Sequence, residues 1–120
     1  MILVDTSVWV LHLSKGVSSL RELLEAGQVL LHPMVRGEIS LGNLPNRSHI
    51  LQLLALLPSP QIADLGETLE FIERHKLHGT GIGWVDANLL ASARLSSAPL
   101  WSLDKPLNRA AQKLNLVFHS

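Results

Sequence analysis

Apolar residues recur along this chain with two different periods, and the alternation between them sets out its elements. Short aliphatic runs bounded by polar or turn-forming residues predict strands at Ile2–Val4, 29–31, 61–63, 100–103 and 116–118. Between them, apolar positions three and four apart predict helices over 7–14, 20–26, 33–41, 48–57, 65–77, 84–95 and 106–114. Local signals agree with these limits. Gly27 stands where the second helix must stop, and Pro33 suits the first turn of the third. Asp64 and Glu67 have the spacing of a capping box. Short strands joined by helices predict an α/β fold, a three-layer sandwich around a mainly parallel central sheet. No repeat, low-complexity tract or linker interrupts residues 1–120, which read as a single domain.

Composition narrows the class. The chain is 47 % apolar and 17 % charged, enough for a hydrophobic core and too apolar for disorder. Cysteine is absent, which excludes disulfides and thiolate metal sites and suits a reducing compartment. No basic segment precedes an apolar core at the N-terminus, and Asp5 breaks the first apolar run, so no secretory leader is expected. The longest apolar stretch, 50–57, is too short to span a bilayer. The expectation is a cytoplasmic protein without a membrane partner.

Ten basic residues balance ten acidic ones, which argues against a generic nucleic-acid binder. Four of the acids change that picture. Asp5 ends the first strand, Glu38 interrupts the third helix, Asp86 opens the apolar sixth helix, and Asp104 follows the fourth strand-like run. Each stands among apolar neighbours, where a bare carboxylate is costly unless protonated, hydrogen-bonded or metal-bound. If they converge they repel, by roughly 4 kcal/mol per pair at 4 Å in an effective dielectric of 20. A hard divalent cation with oxygen ligands, Mg²⁺ or Mn²⁺, would relieve that repulsion. With those four sequestered, six acids face ten basic residues, a surplus of four positive charges available to a phosphate backbone. Each acid also has a plainer reading. Asp5, Asp86 and Asp104 could cap helices, and Glu38 could be a surface residue. The remaining acids behave differently: Glu67, Glu70 and Glu73 lie opposite an apolar stripe, Glu70 can pair with Arg74, and Glu25 with Arg21. The six histidines share no ligand spacing and are read as incidental. Residues 79–83 lack the ending of a phosphate loop and read as the approach to the Asp86 helix.

The run Ile2-Leu3-Val4-Asp5-Thr6-Ser7-Val8-Trp9 resembles the first strand and metal-binding turn of PIN-domain ribonucleases, most closely the VapC-type toxins of toxin–antitoxin pairs. The resemblance extends in order through Val35-Arg36-Gly37-Glu38, the segment 84–93 around Asp86, and Ser102-Leu103-Asp104. It implies a PIN-like sandwich and a Mg²⁺- or Mn²⁺-dependent ribonuclease. Asp5, Glu38, Asp86 and Asp104 would be catalytic metal-binding acids, with Thr6, Ser7 and Ser102 as supporting hydroxyls. It also implies a homodimer held inactive by a cognate antitoxin, for which the leucine-rich helices 20–26 and 48–57 are the candidate faces. The chain departs from many relatives at Pro106 and Leu107, where another acid and an aromatic stand; Asn108 is a possible neutral ligand or a helix-surface residue. Arg36, Arg94, Lys105 and Arg109 lie near motif acids and are candidates for RNA contact. The competing readings are a catalytically silent PIN-like protein-binding module and a receiver-like phosphoacceptor domain. The latter wants paired acids near its N-terminus, and Thr6 follows Asp5 instead.

Overall fold

Ile2–Val4 (β1) runs down the middle of a parallel sheet, with Val29–Leu30 (β2) on one side and Leu100–Trp101 (β3) on the other. The structure is a computed structural model and describes residues 1–119. Seven helices fill the connections among the described residues: Thr6–Lys15 (α1), Ser18–Glu25 (α2), Pro33–Ser40 (α3), Arg47–Leu54 (α4), Leu65–Arg74 (α5), Trp84–Ser96 (α6) and Lys105–Lys113 (α7). None is long and apolar enough to cross a membrane.

Successive strand residues point to opposite faces of a sheet. Leu3 and Val4 are both buried, and so are Val29 with Leu30 and Leu100 with Trp101, so helices cover both faces. This is the expected α/β sandwich. In α6 every residue from Ala87 to Ala93 is buried, the mark of a helix packed on all sides for two turns. Two polar groups inside it are satisfied locally: Asn88 donates to the Trp84 carbonyl and accepts from the Thr68 hydroxyl of α5.

The expected helices all form; the starts at Pro33, Leu65 and Trp84 coincide with expectation and the other ends shift by one to three residues. The Asp64–Glu67 capping box closes in both directions, at 2.9 and 2.8 Å. Gly27 takes φ +68° after α2, the left-handed turn for which glycine pays no side-chain penalty. Residues 61–63 are not a strand. Pro58 and Pro60 precede them without backbone donors, and Gln61 N–H goes to the Ser96 hydroxyl instead. The strand expected at 116–118 shrinks to one parallel bridge beside β3, with Leu100 N–H on the Leu116 carbonyl and Phe118 N–H on the Leu100 carbonyl. Arg74–Glu70 is an ion pair at 2.7 Å, whereas the expected Arg21–Glu25 pair does not form among the described residues.

His32, read from sequence as incidental, has a structural task. It is 1 % exposed and caps α3, its Nδ1 accepting the Met34 N–H at 3.0 Å. Burial lowers its pKa below the ordinary 6.5. The unfolded chain therefore takes up a proton that the folded chain refuses, between the lowered value and 6.5. Stability is full above that window and falls as pH drops through it. His32→Asn keeps a cap acceptor but has nothing to protonate. Urea unfolding between neutral pH and about pH 5 should show a shallower loss of stability in the variant than in the parent chain; equal losses would clear His32.

Candidate metal centre

The chain leaves β1 toward β2 and leaves β3 toward the opposite edge, so the crevice at the carboxyl ends of β1 and β3 is a topological switch point. Asp5 sits at the end of β1 and Asp104 three residues beyond β3. The turn after β3 is tied to the turn after β1 through two hydroxyls. Ser7 Oγ and Ser102 Oγ each donate to Asp5 Oδ2 at 2.7 Å. In return Ser7 Oγ accepts the Leu103 N–H at 2.9 Å and Ser102 Oγ the Asp104 N–H at 3.0 Å. Backbone N–H groups can only donate, so both hydroxyl hydrogens are committed to Asp5. The 3.4 Å approach of the two serine oxygens is then proximity rather than a hydrogen bond. Asn108 closes the turn by donating to the Ser102 carbonyl at 2.8 Å.

Asp5 occupies the N-cap position of α1 without a side-chain capping bond. Its carboxylate is turned to the serines instead. Asp104 does cap, Oδ2 accepting the Leu107 N–H at 3.0 Å. Asp86 lies in the first turn of α6 and accepts the Gly83 N–H through Oδ2 at 3.1 Å. Glu38 projects from α3 and accepts the Thr6 hydroxyl through Oε1 at 2.6 Å. In each of the four, one carboxylate oxygen is held and the other has no hydrogen bond among the described residues.

The expectation that all four acids sit in apolar surroundings is corrected. Only Asp5 is buried; Asp86 is half-buried, and Glu38 and Asp104 are exposed. Glu38 stands on the solvent side of the last turn of α3 and Asp104 at the exposed start of α7, which hydrophobic neighbours in sequence do not reveal. Three of the carboxylates nevertheless act on the fourth. The Asp86 carboxyl is pushed above its ordinary value, first by burial, then by the charges of Asp5, Asp104 and Glu38, against the opposing Gly83 N–H. No three are drawn closely enough among the described residues to enclose an ion as they stand. The donor set itself, four oxygens of like charge around a common rim, is one that a hard divalent cation fits.

The candidate cations are distributed unevenly. Arg36 and Lys105 are exposed beside Glu38 and Asp104, and Arg109 lines a cleft along α7. Arg94 donates to the Leu114 carbonyl at 3.0 Å, at the opposite end of α7 from Asp104. Asn108, weighed as a ligand, serves as a turn clamp. Nothing in the sequence marked it for that task.

A family model for the PIN domain matches residues 2–113. The chain belongs to the PIN-domain family. Ribonuclease VapC32 of Mycobacterium tuberculosis, in strains CDC 1551 / Oshkosh and ATCC 25618 / H37Rv alike, is 44 % identical over 111 residues, 92 % of this chain and 90 % of the relative. The likeness identifies a VapC-type ribonuclease, a type that generally depends on a divalent metal ion. It sets aside the receiver-like phosphoacceptor.

Raising the Asp86 pKa has a stability consequence of definite sign. The folded chain holds that proton more tightly than the unfolded chain, so stability falls as pH rises from the ordinary 3.8 through the raised value and stays reduced above it. Asp86→Asn retains an acceptor for the Gly83 N–H and removes the charge. Without divalent metal the variant should melt above the parent chain at neutral pH, and the difference should vanish in acid. A variant that melts lower at both pH values would refute the account.

Proposed function

We propose that hydrolysis of RNA phosphodiester bonds by this ribonuclease is carried by Asp5, Glu38, Asp86 and Asp104 with Mg²⁺ or Mn²⁺, and that the protein is the toxin of a toxin–antitoxin pair. The supporting observation is geometric: four acids from four different segments each have one oxygen held and one left over, and three of them bear on Asp86, whose carboxyl is pushed up by burial and then by their charges. A bound ion of this kind supplies an acidified water and offsets charge on the leaving oxygen. The protein's own part is orientation. Ser7 and Ser102 hold Asp5 through Oδ2 and Thr6 holds Glu38 through Oε1, which leaves Asp5 Oδ1 and Glu38 Oε2 as donors. Asp86 and Asp104 are held by backbone N–H groups and offer their Oδ1 atoms. Arg36, Lys105 and Arg109 are proposed to meet substrate phosphates; Arg94, engaged with Leu114, is the weakest of that set.

Residues 1–120 are proposed to form one PIN-like unit, supported by a single sheet and one continuous core. The homodimer, the antitoxin and the cytoplasmic location are proposed with it. The helix α2 uses its leucines internally, since Leu20 is buried and Leu23 and Leu24 are half-buried. By contrast Leu53 of α4 is 51 % exposed and Leu56 just beyond it 80 % exposed, which favours the α4 side for protein contact.

Asp5→Asn separates the site from a mere cap, because Asn caps a helix nearly as well as Asp. The variant should fold, fail to cleave RNA that the parent cleaves with Mg²⁺ or Mn²⁺, and gain no thermal stability from added Mg²⁺. Excess chelator should silence the parent chain. Cleavage at the parental rate by Asp5→Asn, or cleavage in chelator, would remove Asp5 or the metal from the mechanism.

Sedimentation equilibrium at micromolar concentration should give twice the chain mass, and Leu53→Glu with Leu56→Glu should weaken association with itself or with the antitoxin. A monomer whose antitoxin binding survives both changes would reject the α4 face.

A further inference from the structure

The helix α7 carries Pro106, Arg109, Ala110 and Lys113 on one face, at the i, i+3, i+4, i+7 spacing of a single stripe. That stripe forms one wall of a cleft of about 230 Å³. The other wall is the end of α5 and the loop after it, His75, Lys76, Leu77 and Thr80. No acidic side chain lines the cleft. Lys76, Arg109 and Lys113 are exposed, and among the described residues none has an ion-pair or side-chain hydrogen-bond partner. His75 adds no charge near neutrality, since burial and then the Arg94 and Arg74 cations lower its pKa.

Helix dipoles account for Lys76 and Lys113 separately, each near a helix C-terminus. They do not account for Arg109 four residues before Lys113 on the same face, where like charges repel. Three cations gathered without a counter-charge are complementary to an anion. One end of the cleft lies close to the four-acid rim in the chain, because Pro106, which lines it, is the second residue after Asp104. The loop from α5 to α6 closes on that point, with Gly81 lying where a Cβ would be 3.6 Å from Pro106. From Asp104 the helix carries Arg109 roughly 7.5 Å and Lys113 roughly 13.5 Å along its axis, at 1.5 Å per residue.

We propose that this cleft between α7 and the end of α5 is a phosphate track, in which Lys76, Arg109 and Lys113 hold the RNA backbone on one side of the cleavage site. The assignment rests on the ribonuclease reading above. It predicts binding without base preference, because phosphates carry no sequence information. An acidic protein segment is the rival occupant, but nothing ties it to the rim where the RNA must lie.

The test uses the full chain and a fluorescein-labelled, mixed-sequence single-stranded RNA of about 12 nucleotides, in the range of single-strand site sizes. Affinity is read by anisotropy across salt concentrations in the Asp5→Asn background, which keeps the RNA intact. Arg109→Gln with Lys113→Gln should weaken binding several-fold and flatten the plot of log K against log salt by about 1.4, at ~0.7 per lost phosphate contact. Lys15→Gln with Arg21→Gln removes the same net charge elsewhere and should leave the slope unchanged. In the cleaving chain the first pair should raise KM and spare kcat. If that pair does not fold, Lys76→Asn carries the test with half the slope change, since Asn tolerates the left-handed backbone at φ +52°. Equal shifts from both pairs, no shift from either, or loss of antitoxin binding with RNA binding intact would overturn the track. Parental cleavage with an unaffected track pair defeats this assignment alone. A parent chain that neither binds nor cleaves the RNA defeats the ribonuclease reading as well.

Discussion

One oxygen atom, Asp5 Oδ2, accepts two hydroxyl hydrogens and thereby fixes the relation between the two turns that build the site. Asp5 is 6 % exposed, and an ionised carboxylate so placed needs charge-assisted hydrogen bonds to offset lost hydration. Ser7 and Ser102 provide them. Because Leu103 and Asp104 donate their N–H groups into the same two hydroxyls, the backbone after β3 is shaped around the carboxylate after β1. The start of α7, and with it the cap at Asp104 and the basic face beyond, is set by that arrangement. Removing Ser102 would therefore act on Asp104 as much as on Asp5.

The other acids are placed by the same economy, one oxygen anchored and one left over. Net hydrogen bonds to a charged group contribute about 1.5–3 kcal/mol, comparable with the repulsion between two carboxylates at close range. Backbone donors and Thr6 can thus hold the acids on a common rim but cannot press them together. That balance accounts for two facts that otherwise conflict. Asp86 feels all three neighbours, yet burial is the larger cause of its shift and no three acids enclose an ion as they stand.

How much of this could be read from the chain follows from the range of each interaction. The limits of β1, the capping box at Asp64 and the glycine stop at Gly27 are local, and the residues concerned stand within a few positions of one another. The positions of the four acids relative to their strands and helices were legible for the same reason. Residues 61–63 looked strand-like because apolar alternation is blind to missing donors at Pro58 and Pro60. The serine pair lies 95 residues apart in sequence, and its convergence on one oxygen depends on β1 and β3 being neighbours in the sheet. The task of His32 was hidden by its type, since histidine is an uncommon cap and its burial arises from packing around α3. The exposure of Glu38 was misjudged because its apolar neighbours occupy other faces of α3, and that of Asp104 because the apolar run before it ends in β3 and the chain then turns out to solvent, with Leu103 itself exposed.

A formal charge of zero conceals a strong separation of charge. Four acids occupy the rim at the ends of β1 and β3, while Arg109, Lys113 and Lys76 lie along α7 and the end of α5. Along the helix axis Arg109 stands roughly 7.5 Å and Lys113 roughly 13.5 Å beyond Asp104, so screening with a Debye length of about 8 Å at physiological salt weakens the field of the rim more toward Lys113 than toward Arg109. With the rim uncompensated, its negative charge repels a phosphate at the near end of the cleft more than at the far end. A divalent ion held at the rim as proposed would lift that repulsion at the near end of the cleft. On the proposed assignment of the rim and the cleft, metal binding and RNA binding would be coupled through the field of the same four carboxylates, without any movement of the fold.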